Sequence, residues 1–205
     1  MDRRTEIVQR GYDRIGQDYA EWRSTHGPDV RGAYLERVCS SLTAGARVLD
    51  LGCGTGAHAT AALAASYEVV GVDLSVQSLE RARAVMRDVP LVQADITTVG
   101  FKPQSFDAVV AFYSLIHVPR EDHAHVLAAV ATWLRPGGWF VGSFGARTGS
   151  DGEGEFLGAS MYWSSWDEAT TLRLVREAGL DVVSARRETE DEDGRPVEHF
   201  WIVAR

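Results

Sequence analysis

Between Arg47 and Gly56 the chain reads RVLDLGCGTG, an apolar run that passes directly into three glycines at alternate positions, Gly52, Gly54 and Gly56. Val48, Leu49 and Leu51 suit a strand. Only glycine lets the backbone turn at positive φ while leaving a ligand room against the main chain. A strand turning sharply into a helix whose first turn admits a ligand narrows the fold to open α/β sheets with a nucleotide-like site. The discordant residue is Asp50, a carboxylate two positions before the first glycine.

The remainder of the chain repeats the strand-helix rhythm. Ahead of the glycine turn, residues 5 to about 20 place Ile7, Val8, Tyr12, Ile15 and Tyr19 at helical spacing, and a second helix is expected from Gly27-Pro28 to Leu42. Between them EWRSTHG, with Trp22 and His26, reads as a lid loop. After the turn come an alanine-rich helix over 57–65, a strand over 67–73, a helix capped by Ser75, and short strands over 90–93 and 106–112. Pro119 suits the start of a helix that Arg135-Pro136-Gly137-Gly138 ends, and Trp139 to Phe144 is the fifth strand. Residues 145 to 160 are glycine-rich and read as a mobile loop. Ser165 and Glu168 have capping-box spacing for a helix that Gly179 stops. Leu180 to Ala185 and Val197 to Val203 then form an antiparallel pair across Asp193-Gly194, with the acidic run Glu188 to Asp193 as a solvated turn. The expected class is α/β, a parallel sheet covered on both faces.

Length and charge limit the function. A chain of 205 residues suits one domain, here 1–205, with a helical cap over 1–44 and a sheet core over 45–205. Hydrophobic content of 45% is ordinary, and a net charge of -8 supplies no basic footprint for nucleic acid. Small molecules are the expected partners, with neither nucleic acid nor membrane. No apolar run is long enough to span a bilayer and the first residues lack a signal-peptide core, so a cytoplasmic location is expected. Cys39 and Cys53 form no metal-like pair, and no metal site is expected.

Asp50, Asp73 and Asp95 fall at or near the ends of three successive expected strands, 23 and 22 residues apart. Each alone could be a cap or turn residue; together they can line one cleft beyond the strand ends. A dinucleotide would place its pyrophosphate at the helix start beside Asp50, where a carboxylate repels it. A ligand with a ribose and a cationic amino-acid end fits better, Asp73 accepting from the ribose and Asp50 complementing the ammonium.

These residues resemble the class I S-adenosylmethionine-dependent methyltransferases, over roughly Val48 to Phe144. VLDLGCGTG, VVGVDLS, QADI, FDAVVAFYSLIHV and LRPGG look like the family's five motifs in order. The resemblance implies a Rossmann-like, doubly wound seven-stranded sheet of order 3-2-1-4-5-7-6 with strand 7 antiparallel. It implies that Asp73 holds the ribose hydroxyls, Leu74 and Ile96 contact the adenine, and Asp95 accepts from its amino group. The glycines would pass under the methionine part, with Asp50 and the backbone at Ala111 and Phe112 serving its ammonium. Tyr12 and Tyr19 would cover the carboxylate. S-adenosyl-L-homocysteine is then the product.

Methyl transfer needs alignment and exclusion of water, and a base only where the acceptor must lose a proton. His117, after the fourth strand, is the candidate base. His58 is expected to cap or pack, His123 and His125 make no metal pair, and His199 beside Trp201 faces pocket or core. The segment Ala111-Phe112-Tyr113-Ser114 lacks the Asn/Asp-Pro-Pro-aromatic pattern of enzymes acting on base amino groups. Trp22, Tyr113, Phe144, Tyr162 and Trp163 are the aromatics available to a substrate, with Trp22, Tyr113, Tyr162 and Trp163 the expected contacts; such rings suit a flat, apolar molecule or an amine. A homodimer has no surface assigned to it. The alternatives are an NAD(P)-dependent oxidoreductase and a non-catalytic S-adenosylmethionine-binding regulator.

Overall fold

The computed structural model describes residues 2–25, 30–57, 59–147 and 151–205. Two helices, α1 (Arg3–Thr25) and α2 (Val30–Cys39), precede β1 (Arg47–Leu51). The chain then alternates through α3 (Ala59–Ala64), β2 (Glu68–Asp73), α4 (Val76–Val85), β3 (Leu91–Gln93), β4 (Phe106–Ala111), α5 (His123–Trp133) and β5 (Leu134–Gly145). It ends with β6 (Asp151–Phe156), β7 (Ala159–Ser164), α6 (Glu168–Glu177), β8 (Val182–Glu192) and β9 (Arg195–Ala204).

Seven strands form one sheet in the order β3-β2-β1-β4-β5-β9-β8. This is the expected order, since β9 and β8 take the places of strands 7 and 6, and β9 alone runs antiparallel to its neighbours β5 and β8. Alternation along the central strands explains the layering. Leu49, Leu51, Val109 and Phe140 point into a core shared with α5 and α6, whereas Val48, Val110 and Val141 pack with α2 and α3 on the opposite face. The chain leaves β1 toward β2 on one side and returns to β4 on the other, so the crevice where ligands settle opens between β1 and β4. No helix among the described residues is long and apolar enough to cross a membrane.

Four local expectations change. The segment EWRSTHG is no lid loop, because α1 continues through Trp22 to Thr25; Gly27-Pro28 and His26 lie outside the described residues. The expected loop over 145–160 contains instead most of a second, two-stranded sheet, β6 paired with β7. Leu157 (φ 49°) and Gly158 (φ 76°) supply the two positive angles its tight turn needs, and β6 is exposed, so its glycines and acids disguised it. Helix α6 is capped by Asp167, whose carboxylate accepts from Thr170 N at 2.8 Å, while Ser165 instead donates to the Arg147 carbonyl. The acidic run is no solvated turn: β8 extends to Glu192, pairs with β9 up to Arg195, and buries Glu190. Only Asp193-Gly194, both at positive φ, form the turn. Ser75 does cap α4, accepting from Ser78 N at 3.0 Å.

Candidate active site

The glycine turn is held by the neighbouring strand. Gly52 N and Cys53 N both donate to the Val72 carbonyl, at 2.7 and 3.0 Å. Gly52 has φ 84° and a Cβ there would sit 2.3 Å from Ser114 Cβ; Gly56 has φ 72° and a Cβ there would sit 1.8 Å from Met86 Cε. Both positions therefore need glycine for conformation and for space.

Beyond the strand ends an open cavity is lined by Gly52 and Gly54 on one side and by Asp73, Leu74, Asp95 and Ile96 on another. Asp73 Oδ2 accepts from Gly54 N at 2.7 Å and Oδ1 from Ser75 N at 2.8 Å, which fixes the carboxylate between the glycine turn and α4. Desolvation pushes its pKa up, against those bonds. Asp95 Oδ1 accepts from Thr97 N and Oγ1, both at 2.8 Å. Phe112, Tyr12 and Tyr19 close the cavity, with α1 tied down where Ser75 donates to Asp13 at 2.7 Å.

Asp50 does not line this space. It is 2% exposed and accepts from Thr60 Oγ1 of α3 at 2.7 Å. Burial raises its pKa to about 6. The hydrogen-bond partner of Asp50 is thus a hydroxyl of the next helix, and its carboxylate stands behind the glycine turn rather than on the cavity wall. Gly56 is also set back, against Met86 rather than the cavity. His58 lies outside the described residues.

A second open space adjoins the first, and Tyr12, Tyr19, Tyr113 and His117 line both. Trp22 and Trp163 line the second. Tyr162 does not: its ring is 2% exposed within a cluster with Val8, Ile15 and Met161, and its hydroxyl donates to Asp151 at 2.7 Å. Phe144 and Trp201 are also core. Tyr162 contributes its carbonyl, 2.6 Å from His117 Nδ1.

That contact fixes the state of His117. A carbonyl only accepts, so Nδ1 carries the proton and Nε2 accepts from the Tyr12 hydroxyl at 2.9 Å. Burial lowers the His117 pKa to about 4. The imidazole lines both spaces, yet both nitrogens are engaged and its basicity is weakened. His123 is plain core, its Nε2 facing the Leu115 and Val118 carbonyls at 3.1 Å.

Arg23, Glu192 and His199 line the far side of the second space and the buried Glu190 bonds to Arg23; His199 was expected in pocket or core, and Glu190 and Glu192 in a solvated turn. Arg23 of α1 donates to Glu190 at 2.5 Å and to the Tyr113 hydroxyl at 3.0 Å, and that hydroxyl donates to Glu190 at 2.6 Å. His199 Nδ1 is 3.5 Å from Glu190, and Glu192 stands beside it. Desolvation would raise the Glu190 carboxyl, but His199, Tyr113 and Arg23 outweigh it and bring it down to about 2. Tyr113 holds φ 55°, a strained angle for a bulky residue, with its N–H donating to Ser143 Oγ at 2.7 Å. The signal for these groups was the alternation Glu188, Glu190, Glu192, which gives three acids on one side of a strand.

The charge of the first cavity decides the ligand. Among the described residues that line it, the charged groups are the two carboxylates Asp73 and Asp95, and neither lysine nor arginine is present. A diphosphate would face anions there without a cation, whereas a ribose and an adenine amino group each find a carboxylate acceptor and the net negative lining suits a cationic ligand. Comparison with known proteins agrees. Residues 48–138 match a family model described as a methyltransferase domain. The chain belongs to the class I S-adenosylmethionine-dependent methyltransferases.

The chain is 33% identical over 142 residues to the ubiquinone biosynthesis O-methyltransferase of Albidiferax ferrireducens, covering 66% of the chain and 53% of the relative. It is 32% identical over 191 residues to phosphoethanolamine N-methyltransferase 1 of Arabidopsis thaliana, covering 87% of the chain and 37% of that protein. The chain thus spans about half or less of these relatives' length. Its fold matches that of the Burkholderia thailandensis 1,6-didemethyltoxoflavin-N1-methyltransferase, solved with 1,6-didemethyltoxoflavin and S-adenosylhomocysteine, at a TM-score of 0.75 and 20% identity over 98% of the chain and 87% of that one. The family's cofactor is S-adenosylmethionine.

Proposed function

We propose that this methyltransferase methylates a small molecule held in the second space by a cofactor held in the first, with residues 1–44 as cap and 45–205 as sheet core of one domain. The observation that carries the reading is the pairing of an acidic, cation-free cavity with an aromatic one across Tyr12, Tyr19, Tyr113 and His117. When bound, S-adenosylmethionine supplies an electrophilic methyl on a sulfonium centre. The chain's own task is alignment and exclusion of water.

Asp73 orients the ribose hydroxyls with the lone pairs that Gly54 and Ser75 leave open. Asp95, Leu74 and Ile96 hold the adenine, and Gly52 and Gly54 let the methionine part lie against the main chain. Tyr12 and Tyr19 form the wall between the two spaces, and Phe112 flanks it. His117 is a positioning residue: it takes the Tyr12 proton in a hydrogen bond and so sets the direction of that hydroxyl. With Nε2 occupied and its pKa lowered to about 4, it holds little driving force as a base for the acceptor. Trp22, Tyr113 and Trp163 face the acceptor.

Calorimetry with S-adenosylhomocysteine and with NADH tests the reading. Binding of the first and none of the second is expected. Tight NADH binding without a response to S-adenosylhomocysteine would replace it with the oxidoreductase alternative.

A further inference from the structure

Two charged side chains that line the second space have no ion pair among the described residues, Glu192 and Arg147, and of these only Glu192 is partly buried. Glu192, the last residue of β8, lines that space and is partly buried. Among the described residues no hydrogen bond or ion pair reaches its carboxylate. Its charged neighbours on the wall are already engaged: Arg23 with Glu190 at 2.5 Å, Asp151 with Arg120 at 3.4 Å, Glu153 with Arg3 at 3.0 Å and Glu198 with Arg187 at 3.0 Å. Arg147 is exposed. Desolvation pushes the Glu192 carboxyl up, with His199 and Arg23 opposing. A partly buried carboxylate without a partner is a net cost unless a ligand supplies one.

The surrounding wall is aromatic. Trp22 stacks on Tyr19 with ring centroids 6.1 Å apart, Phe156 meets Trp22 edge-on at 5.2 Å, and Trp163 meets Phe156 at 6.4 Å. Ring faces carry negative potential and attract cations. An anionic acceptor would confront Glu192, and a neutral one would leave it desolvated; a cation satisfies rings and carboxylate together. We propose that the acceptor carries a protonated or quaternary amine, recognised by Glu192 and by the rings of Trp22, Phe156 and Trp163. This rests on the methyl-transfer reading only in calling the ligand an acceptor.

The test uses the whole chain saturated with S-adenosylhomocysteine and titrated at neutral pH with benzylamine, benzyl alcohol and benzoate, which share a ring and differ in charge. Benzylamine is expected to bind about tenfold more tightly than the alcohol, with benzoate weakest. Glu192→Gln, isosteric and uncharged, removes the advantage of the amine; Phe156→Leu weakens the amine about threefold and keeps the order of the probes. S-adenosylhomocysteine affinity reports that each variant is folded. Equal binding of the three probes, preference for benzoate, no binding of any, or an unchanged amine advantage in Glu192→Gln overturns the proposal. Failure of the wild-type protein to bind S-adenosylhomocysteine would overturn the methyltransferase reading instead.

Discussion

The floor of the site and its roof are assembled in different ways. The floor, at the ends of β1, β2 and β3, is made by residues whose partners lie close in sequence: Asp73 with Gly54, 19 residues away, and Asp95 with Thr97, two away. The roof, made of α1, the β6–β7 hairpin and the β8–β9 hairpin, is tied by contacts across most of the chain. Tyr12 and His117 are 105 residues apart, Arg23 and Glu190 167, and Trp22 and Asp193 171. A site whose cofactor half is local and whose acceptor half is long-range can change the second without rebuilding the first.

Breaking the roof has the largest expected effect. Glu190→Ala leaves the Arg23 guanidinium buried without its carboxylate, since both side chains are only 3% exposed. The expected loss is about 3–5 kcal/mol of unfolding free energy in a denaturant titration, with a smaller change in S-adenosylhomocysteine affinity. A stability change below about 1 kcal/mol would place this pair among surface salt bridges and remove the roof's central tie. The pH dependence has a defined sign. The Glu190 carboxyl lies at about 2 when folded against 4.5 when free, so its contribution is complete above about 4.5 and is lost as pH falls toward 2.

The floor should respond in the opposite sense. Asp73→Ala removes a carboxylate that faces the cavity and also unpairs Gly54 N and Ser75 N. Calorimetry should show S-adenosylhomocysteine bound about a hundredfold more weakly, the value of one or two hydrogen bonds to a charged group. The stability cost should stay near about 1 kcal/mol. Unchanged affinity would take Asp73 away from the ribose and leave the floor without its main contact.

The same division explains what the sequence disclosed. Strand ends, glycine spacing and the aspartates at 73 and 95 are local signals that point to the first cavity, whereas the sheet order was implied by the family resemblance. The orientation of Asp50 was not legible, because a strand-end carboxylate can turn either toward the crevice or toward the following helix, and Thr60 draws it to the helix. Tyr162 was misjudged for a related reason: alternation puts neighbouring residues of β7 on opposite faces, and Trp163 took the cavity side. The Arg23, Glu190, His199 and Glu192 wall was hidden more deeply. An acidic run ending in Asp193-Gly194 reads as a turn until Arg23, from the other end of the chain, is placed against it.

The smallest effect tests the hinge between floor and roof. His117→Asn removes the acceptor of the Tyr12 hydroxyl and should cost about 1 kcal/mol at neutral pH. Its signature is the pH profile. Folded His117 titrates near 4 and the free group near 6.5, so between those values the unfolded chain binds more protons and stability falls as pH is lowered. The slope from one such group is at most about 1.4 kcal/mol per pH unit. In the variant the His117 contribution to that slope should be lost, leaving the balance between His123, which adds to it, and the raised carboxyls of Asp50 and Asp73, which oppose it. The lower window, set by Glu190, should be unaffected. Urea titrations of wild type and His117→Asn across both windows separate the two regions: an unaltered upper slope would mean that His117 is protonated in the folded protein, in which case Nε2 would be a donor and could not orient the Tyr12 hydroxyl by accepting from it.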